Sequence, residues 1–210
     1  GKPNIPNARI SLWSLWQGIH FIWVERIILS LFLLDFGAIL VGFYRPLLPV
    51  FASDIYNVGA SGLGILYSAP AMGAAGGTLV LLLAGDVKRK GAMAVVTTVS
   101  FGCGLALLGV SPWFWMGILA TGLLGLTDAF SVTIRRSTVQ LLSPDHMLGR
   151  ASSMLRVFSM STNALGAIVA GAAAAWLGAP NALILGGGMC ILIVLGITLS
   201  IPQLWRYRSP

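Results

Sequence analysis

Six long apolar runs alternate with short basic stretches along this chain, and this alternation restricts it to a helical membrane fold. A transmembrane helix needs about 20 apolar residues to cross roughly 30 Å of hydrocarbon. Six runs meet that requirement, at residues 27–51, 62–84, 92–110, 113–133, 152–177 and 181–201. The sequence therefore predicts an all-α membrane domain of six transmembrane helices over residues 27–201.

The basic residues lie on one side of this arrangement. Twelve of the 13 Lys and Arg residues fall in four stretches, at residues 2–26, 88–90, 135–156 and 206–208. The connections at residues 52–61, 111–112 and 178–180 contain no Lys or Arg. Cytoplasmic loops carry an excess of basic residues, so we expect both termini in the cytoplasm and an inner-membrane location. Arg45, inside the first run, is the exception.

Composition excludes a soluble fold. Only 9% of the residues are charged and 57% are hydrophobic, whereas a soluble domain carries about 25% charged residues. The lipid bilayer is therefore the expected solvent. The net charge of +7 does not indicate a nucleic-acid partner, because the basic residues lie at the ends of apolar runs rather than on one stripe.

The two termini are predicted to lie at the cytoplasmic surface. Residues 11–26 are too short and too polar to span, and Trp13, Trp16 and Trp23 favour an interfacial helix on the cytoplasmic leaflet. Residues 1–26 therefore form a predicted cytoplasmic linker, and residues 202–210 a cytoplasmic tail. Because the chain begins with Gly1, we expect it to be a piece of a longer protein.

Small residues within the runs predict close helix packing. The second run contains Gly73 and Gly77, and the fifth contains Gly166, Ala170 and Ala174. Such residues allow backbones to approach where lipid supplies no hydrophobic driving force. The primary interpretation is packing within the bundle rather than dimerisation.

Ionisable groups inside the apolar runs mark a candidate site. A charged side chain at the centre of a span costs about 2.5–3.5 kcal/mol, yet the first run contains Asp35 and Arg45, and the fourth contains Asp128. Asn163 lies in the middle of the fifth run. The two charged runs each begin a triplet, which indicates two three-helix inverted repeats around a polar interior, the arrangement of secondary transporters.

The roles of these groups have alternative interpretations. Asp35 and Asp128 either carry a coupling proton or are neutralised by a basic side chain of another helix. Asp128 and Arg135, seven residues apart, share nearly the same helix face. Tyr44 and Arg45 precede two prolines that either kink or end the first helix. Arg45 contacts an anionic substrate, pairs with an outer carboxylate such as Asp54, or extends to the outer interface.

No catalytic or ligand-binding motif stands out. The segments GLGILYSAP and GDVKRKG fail the spacing of dinucleotide and phosphate loops. There is no Cys/His cluster, and Cys103 and Cys190 lie in apolar runs, where burial is the simple interpretation. We therefore expect no enzyme activity, no cofactor and no metal site.

Five segments within residues 11–206 carry a family resemblance: YRPLLPVFA, GLGILYSAPAMGA, GDVKRKG, TDAFSVTIRRSTVQLLSPDHMLGRASS and STNALG. They resemble the carboxyl-terminal half of a major facilitator superfamily transporter of the transmembrane secretion effector branch. Pro144, Asp145, Gly149 and Arg150 match a P-[DE]-x-x-x-G-R pattern of this branch, and Leu148 stands where the family often has Arg.

The resemblance implies half of a twelve-helix fold that exports a small-molecule substrate by alternating access, with proton exchange as the expected driving force. Its partner would be an amino-terminal six-helix half or a second copy, and the alternatives are a homodimeric carrier or channel and a non-transporting scaffold subunit. The transport path would be lined by Asp35, Tyr44, Arg45, Asp128 and Asn163. The cytoplasmic gate would comprise Asp86, Lys88, Arg89, Arg135, Arg136, Asp145, Gly149 and Arg150.

Overall fold

The computed structural model describes residues 26–85, 90–142 and 148–200. The described residues form helices α1 Arg26–Gly42, α2 Gly59–Ala84, α3 Lys90–Gly109, α4 Phe114–Leu142, α5 Leu148–Leu177 and α6 Ala179–Ser200. Six stretches are long and apolar enough to cross a membrane, which confirms the predicted all-α fold of six membrane helices. The predicted linker, apart from Arg26, and the predicted tail lie outside the described residues.

The first membrane span is interrupted rather than continuous. α1 ends at Gly42, and the chain continues through a 3₁₀ turn at Arg45–Leu47, a helical turn at Leu48–Val50 and a π-helical turn at Phe51–Ile55. Pro46 explains the break, because a proline ring clashes with the carbonyl of the residue four positions earlier, here Gly42. The first helix thus ends before the prolines and the span continues as a series of turns, whereas the sequence left a kink and an ending both open.

α4 extends nine residues beyond the predicted end of the fourth span, from residue 133 to Leu142. Hydropathy ends the predicted span before Arg135 and Arg136, because two adjacent guanidinium groups are costly in lipid. The helix nevertheless continues, since its backbone hydrogen bonds are local and do not depend on the polarity of the side chains. Both arginines are consequently held on a regular helix.

The helix contacts follow a twofold pattern. α2 packs most extensively against α4, and α1 packs against α5; α3 packs against α4 and α6, and α1 also packs against α6. Exchanging the first three helices for the last three turns the α2–α4 contact into α5–α1 and the α3–α4 contact into α6–α1. The α3–α6 contact maps onto itself. This is the pattern expected of two three-helix units related by a pseudo-twofold axis.

Glycines allow the closest of these contacts. A side chain at Gly73 of α2 would collide with the backbone carbonyl of Gly122 in α4. The Cβ position of Gly77 lies 3.0 Å from another α4 carbonyl, and that of Gly166 in α5 lies 2.7 Å from the carbonyl of Ile39 in α1. These contacts confirm that the small residues of the second and fifth spans serve helix packing.

An apolar cluster closes the end of the bundle that carries the α1–α2, α3–α4 and α5–α6 connections. Its members Leu48, Phe51, Leu105, Leu108 and Leu124 are each 0% exposed. Burying such side chains excludes both water and lipid. We call this group, together with the partly buried side chains packed on it, the outer apolar cluster, after the external location that the basic-residue pattern predicts for this end.

A hydrogen bond at the rim of the outer apolar cluster joins two of the connections. The Tyr56 hydroxyl contacts the Ser111 hydroxyl, which itself donates to the carbonyl of Leu108 over 2.7 Å. Tyr56 is therefore the donor of the first bond. Burial raises the pKa of Tyr56 above the ordinary value of 10.0, against the opposing effect of the Ser111 hydrogen bond, and this keeps the donor proton in place at neutral pH.

The glycine contacts predict a contrast between two positions on α2. Replacing Gly73→Ala should destabilise the protein by about 1–3 kcal/mol, because the added methyl group forces α2 away from α4. Gly76→Ala is the matched control, since a Cβ at Gly76 meets nothing within 4 Å and alanine has the higher helix propensity. Thermal unfolding of the full-length protein in detergent measures both. Equal stability of the two variants would contradict the packing role.

Candidate functional site

A polar cavity of about 450 Å³ lies between α1, α4 and α5. Its lining comes from the last residues of α1 and those that follow, from the carboxyl-terminal half of α4 and from the amino-terminal half of α5. It therefore extends from the break in the first span, beside the outer apolar cluster, toward the opposite end of the bundle, where α4 ends and α5 begins. Its charged lining residues are Arg45, Asp128, Arg135, Arg136 and Arg156.

A buried ion pair lies at the wall of this cavity. The guanidinium of Arg135 on α4 contacts the carboxylate of Asp35 on α1, and each side chain is only 8% exposed. Removing one partner of such a pair leaves an uncompensated charge out of water, at a cost of about 3–5 kcal/mol. Asp35 is thus neutralised by a basic side chain of another helix, which was one of the two interpretations open from the sequence.

Asp128 occupies a different environment on the same helix as Arg135. Its carboxylate is exposed to the cavity and interacts electrostatically with Asp35, Arg135 and Arg45. A second pocket of about 20 Å³, lined by both aspartates and by hydroxyl side chains of α3 and α4, lies between them. That volume is enough for about one water molecule, so the two carboxylates share a polar space.

Arg45 lies where the first span is interrupted. Its side chain is exposed and lines the cavity, and it interacts with the neighbouring Tyr44 hydroxyl. Asp54, the outer carboxylate considered as its partner, instead accepts a hydrogen bond from Ser53 at 2.6 Å. Among the described residues, Arg45 forms no ion pair with Asp54. The break at Pro46 therefore leaves this guanidinium facing the cavity.

α5 contributes a polar face that the sequence analysis did not recognise as a unit. Arg156, Ser159 and Asn163 all line the cavity, at spacings of three and four residues that place them on one helix face. Phe158 fixes this orientation, because its ring packs against Phe32 and Phe36 of α1 at centroid distances of 5.1 and 5.7 Å. The spacing was visible in the sequence, although Arg156 was treated there as a marker of topology.

The predicted site residues divide into three groups. Tyr44, Arg45, Asp128 and Asn163 line one cavity, and Asp35 lies in the adjoining pocket. Arg135 and Arg136, expected at the cytoplasmic gate, also line the cavity. Gly149 is exposed near the start of α5. Outside the residues or side chains that the structure describes are Asp86, Lys88, Arg89, Asp145 and Arg150.

Comparison with known proteins identifies relatives along nearly the whole chain. A family model described as Major Facilitator Superfamily matches residues 26–210. The enterobactin exporter of Citrobacter koseri is 26% identical over 166 residues, which cover 79% of this chain and 40% of the relative. The enterobactin exporters of Escherichia coli O81 and Shigella boydii serotype 18 are 27% identical over 197 residues, covering 93% of this chain and 47% of each relative. The chain therefore spans less than half the length of these relatives. No solved structure matches it significantly.

The ion pair predicts strong coupling between two substitutions. Asp35→Asn should destabilise the full-length protein by about 3–5 kcal/mol, because it leaves the buried charge of Arg135 without a partner. The double variant Asp35→Asn with Arg135→Gln should recover much of that loss. Arg136→Gln, at the exposed neighbouring position, is the control and should cause no loss of stability. Thermal unfolding of the unmodified protein, of Asp35→Asn, of Arg135→Gln and of the double variant gives the coupling energy, and additive effects would exclude a structural ion pair.

Proposed function

The chain belongs to the major facilitator superfamily, and we propose that it forms the carboxyl-terminal six-helix half of a secondary active transporter that exports a small solute. The observation that carries this proposal is the polar cavity inside an otherwise apolar bundle. Its volume lies in the range of about 300–1,000 Å³ that suits small-molecule sites. The export direction is supported by the relatives, whose names describe enterobactin exporters.

The proposed orientation in the inner membrane places both termini in the cytoplasm. In the described residues, Arg45 is the only basic residue in the connections at the end with the outer apolar cluster, whereas Arg135, Arg136 and Arg156 lie toward the opposite end. This distribution follows the positive-inside rule. The cavity then extends from the outer apolar cluster on the external side toward the cytoplasm, an arrangement that suits loading of a solute from inside the cell.

Within the cavity, we assign the solute path to Tyr44, Arg45, Asp128 and Asn163. Arg135 and Arg136 belong to this path as well as to its cytoplasmic mouth. The gate itself would be completed by the two cytoplasmic connections, with Asp86, Lys88, Arg89, Asp145, Gly149 and Arg150. Opposite charges at these helix ends would pair when the cytoplasmic side closes.

Proton coupling would use the competition of two carboxylates for one guanidinium. Arg135 now contacts Asp35, and Asp128 lies seven residues earlier on nearly the same face of α4, about 10 Å along the axis. A proton on Asp35 would release Arg135 toward Asp128, and its departure would restore the present pair. Such an exchange has two discrete arrangements, which is what coupling between an ion and a conformation requires.

Flux measurements on the full-length protein in energised vesicles test the assignment. Asp128→Asn should lower proton-driven export at least tenfold, because the variant removes the second acceptor for Arg135. The double variant Asp35→Asn with Arg135→Gln keeps the charge balance and should also lose coupling. Asp54→Asn, on the outer connection, should transport like the unmodified protein. Undiminished flux in Asp128→Asn would remove this carboxylate from the mechanism.

The exposed faces of α2 and α5 support a second six-helix unit as partner. α5 is the least buried of the six membrane helices and α2 the next. Asn163 is exposed near the middle of α5, where contact with lipid would leave its amide without hydrogen bonds. The additional length of the relatives has room for such a unit in one polypeptide, and a second copy of this chain would provide an equivalent shell.

The scaffold alternative is tested by two neighbouring positions on α5. In a protein whose native Cys103 and Cys190 are replaced by serine, Asn163→Cys should react with a membrane-impermeant thiol reagent, because position 163 lines the cavity. Thr162→Cys is the matched control, since Thr162 is 1% exposed and should stay unreactive. Mass spectrometry of the labelled full-length protein measures both. Protection of both positions would indicate dry packing and favour a non-transporting subunit.

A further inference from the structure

We propose that the cavity recognises a solute with at least two negatively charged oxygens, held by the guanidiniums of Arg45, Arg136 and Arg156. This inference rests on the proposed transport function and names the substrate class of the same site. The chemical class includes dicarboxylates, organic phosphates and other multiply charged oxyanions. The juxtaposition that carries it is three exposed arginines, one in the break of the first span, one on α4 and one on α5, all facing one cavity.

The charge balance of the cavity is strongly positive. Four arginines line it, whereas Asp128 is its one carboxylate among the described lining residues. Including Asp35 in the adjoining pocket, four guanidiniums face two carboxylates. Arg135 is paired with Asp35, and Asp128 compensates at most one further charge. Two positive charges therefore remain for the solute to neutralise.

The three remaining arginines differ from Arg135 in their surroundings. Arg135 is buried in its ion pair, whereas Arg45, Arg136 and Arg156 are exposed to the cavity. None of the three forms an ion pair within the part of the chain that the structure describes. Uncompensated guanidiniums at membrane depth are costly, so their retention in one polar cavity needs a ligand or water. Arginine is also the side chain best suited to bind carboxylate or phosphate through two parallel hydrogen bonds.

The arginines are distributed along the cavity rather than gathered at one point. Arg136 lies eight residues beyond Asp128 on α4, about 12 Å along the axis, while Arg45 comes from the break in the first span and Arg156 from α5. A solute with two separated anionic groups would contact two of them at once. Asn163 and Ser159 add uncharged polar groups between these contacts.

A matched pair of probes tests this inference on the full-length transporter in detergent. The probes are benzene-1,2-dicarboxylate and the diamide of the same shape, and binding is followed by the thermal stabilisation that each gives. The dianion should bind at least tenfold more tightly than the diamide. Arg45→Gln, Arg136→Gln and Arg156→Gln should each reduce this preference, and the corresponding Lys variants should reduce it less. Gln140→Ala alters the uncharged lining and should leave the preference unchanged.

The stability of the unliganded variants separates ligand recognition from a structural role. If Arg45, Arg136 and Arg156 bind an anionic solute and are unpaired without it, each Gln substitution should raise the melting temperature of the unliganded protein, because it relieves repulsion between like charges. If the partner unit neutralises them with carboxylates, the same substitutions should lower it, and the inference fails. Binding of the diamide as tightly as the dianion, or no binding of the dianion, also overturns it.

Flux measurements in vesicles distinguish a failure of the anion site from a failure of the proposed transport function. Export of neutral or cationic solutes without any anionic one would leave the transporter proposal intact and reject the anion site. A lack of flux for anionic, neutral and cationic solutes alike would reject the transporter proposal itself. Anion export that is lost in Arg45→Gln and partly retained in Arg45→Lys supports both.

Discussion

The ion pair between Asp35 and Arg135 is the interaction on which the arrangement of the cavity depends. α1 packs mainly on α5 and α6, and α4 mainly on α2 and α3, so the seam between α1 and α4 has little direct packing. The pair bridges this seam. Either charge without the other would be costly in lipid or in an apolar core. Because Arg135 is turned into the seam, the adjacent Arg136 is turned by about 100°, toward the cavity.

Much of the fold was predictable because lipid imposes simple requirements on the sequence. Each span must be long, apolar and internally hydrogen-bonded, and these requirements located all six helices and the glycine contacts at Gly73 and Gly166. Helix ends were less predictable. Hydropathy ends the fourth span before the adjacent Arg135 and Arg136, whereas α4 continues through them because the guanidinium of Arg135 faces protein rather than lipid. The break after Gly42 required a choice between a kink and an ending that local sequence left open.

The candidate site was predictable only in part, because single residues are visible in a sequence while their partners are not. Asp35, Arg45 and Asp128 stood out since a charge within an apolar run needs a reason. Which aspartate would pair with Arg135 depended on how α1 and α4 cross, and Asp35 lies 100 residues away from it in the chain. The face of α5 with Arg156 was missed because a basic residue near a helix end also satisfies the positive-inside rule.

The two ends of the bundle differ in their packing. This difference indicates which parts of the chain would move if it takes part in alternating access. Glycine contacts hold α2 to α4 and α5 to α1 at backbone distance, so each pair is suited to move as one body. The outer apolar cluster and the bond from Tyr56 to Ser111 would have to separate for outward opening. The break after Gly42 lies between that cluster and Asp35. Movement of the outer part of the first span can therefore occur at the break while the ion pair keeps α1 on α4.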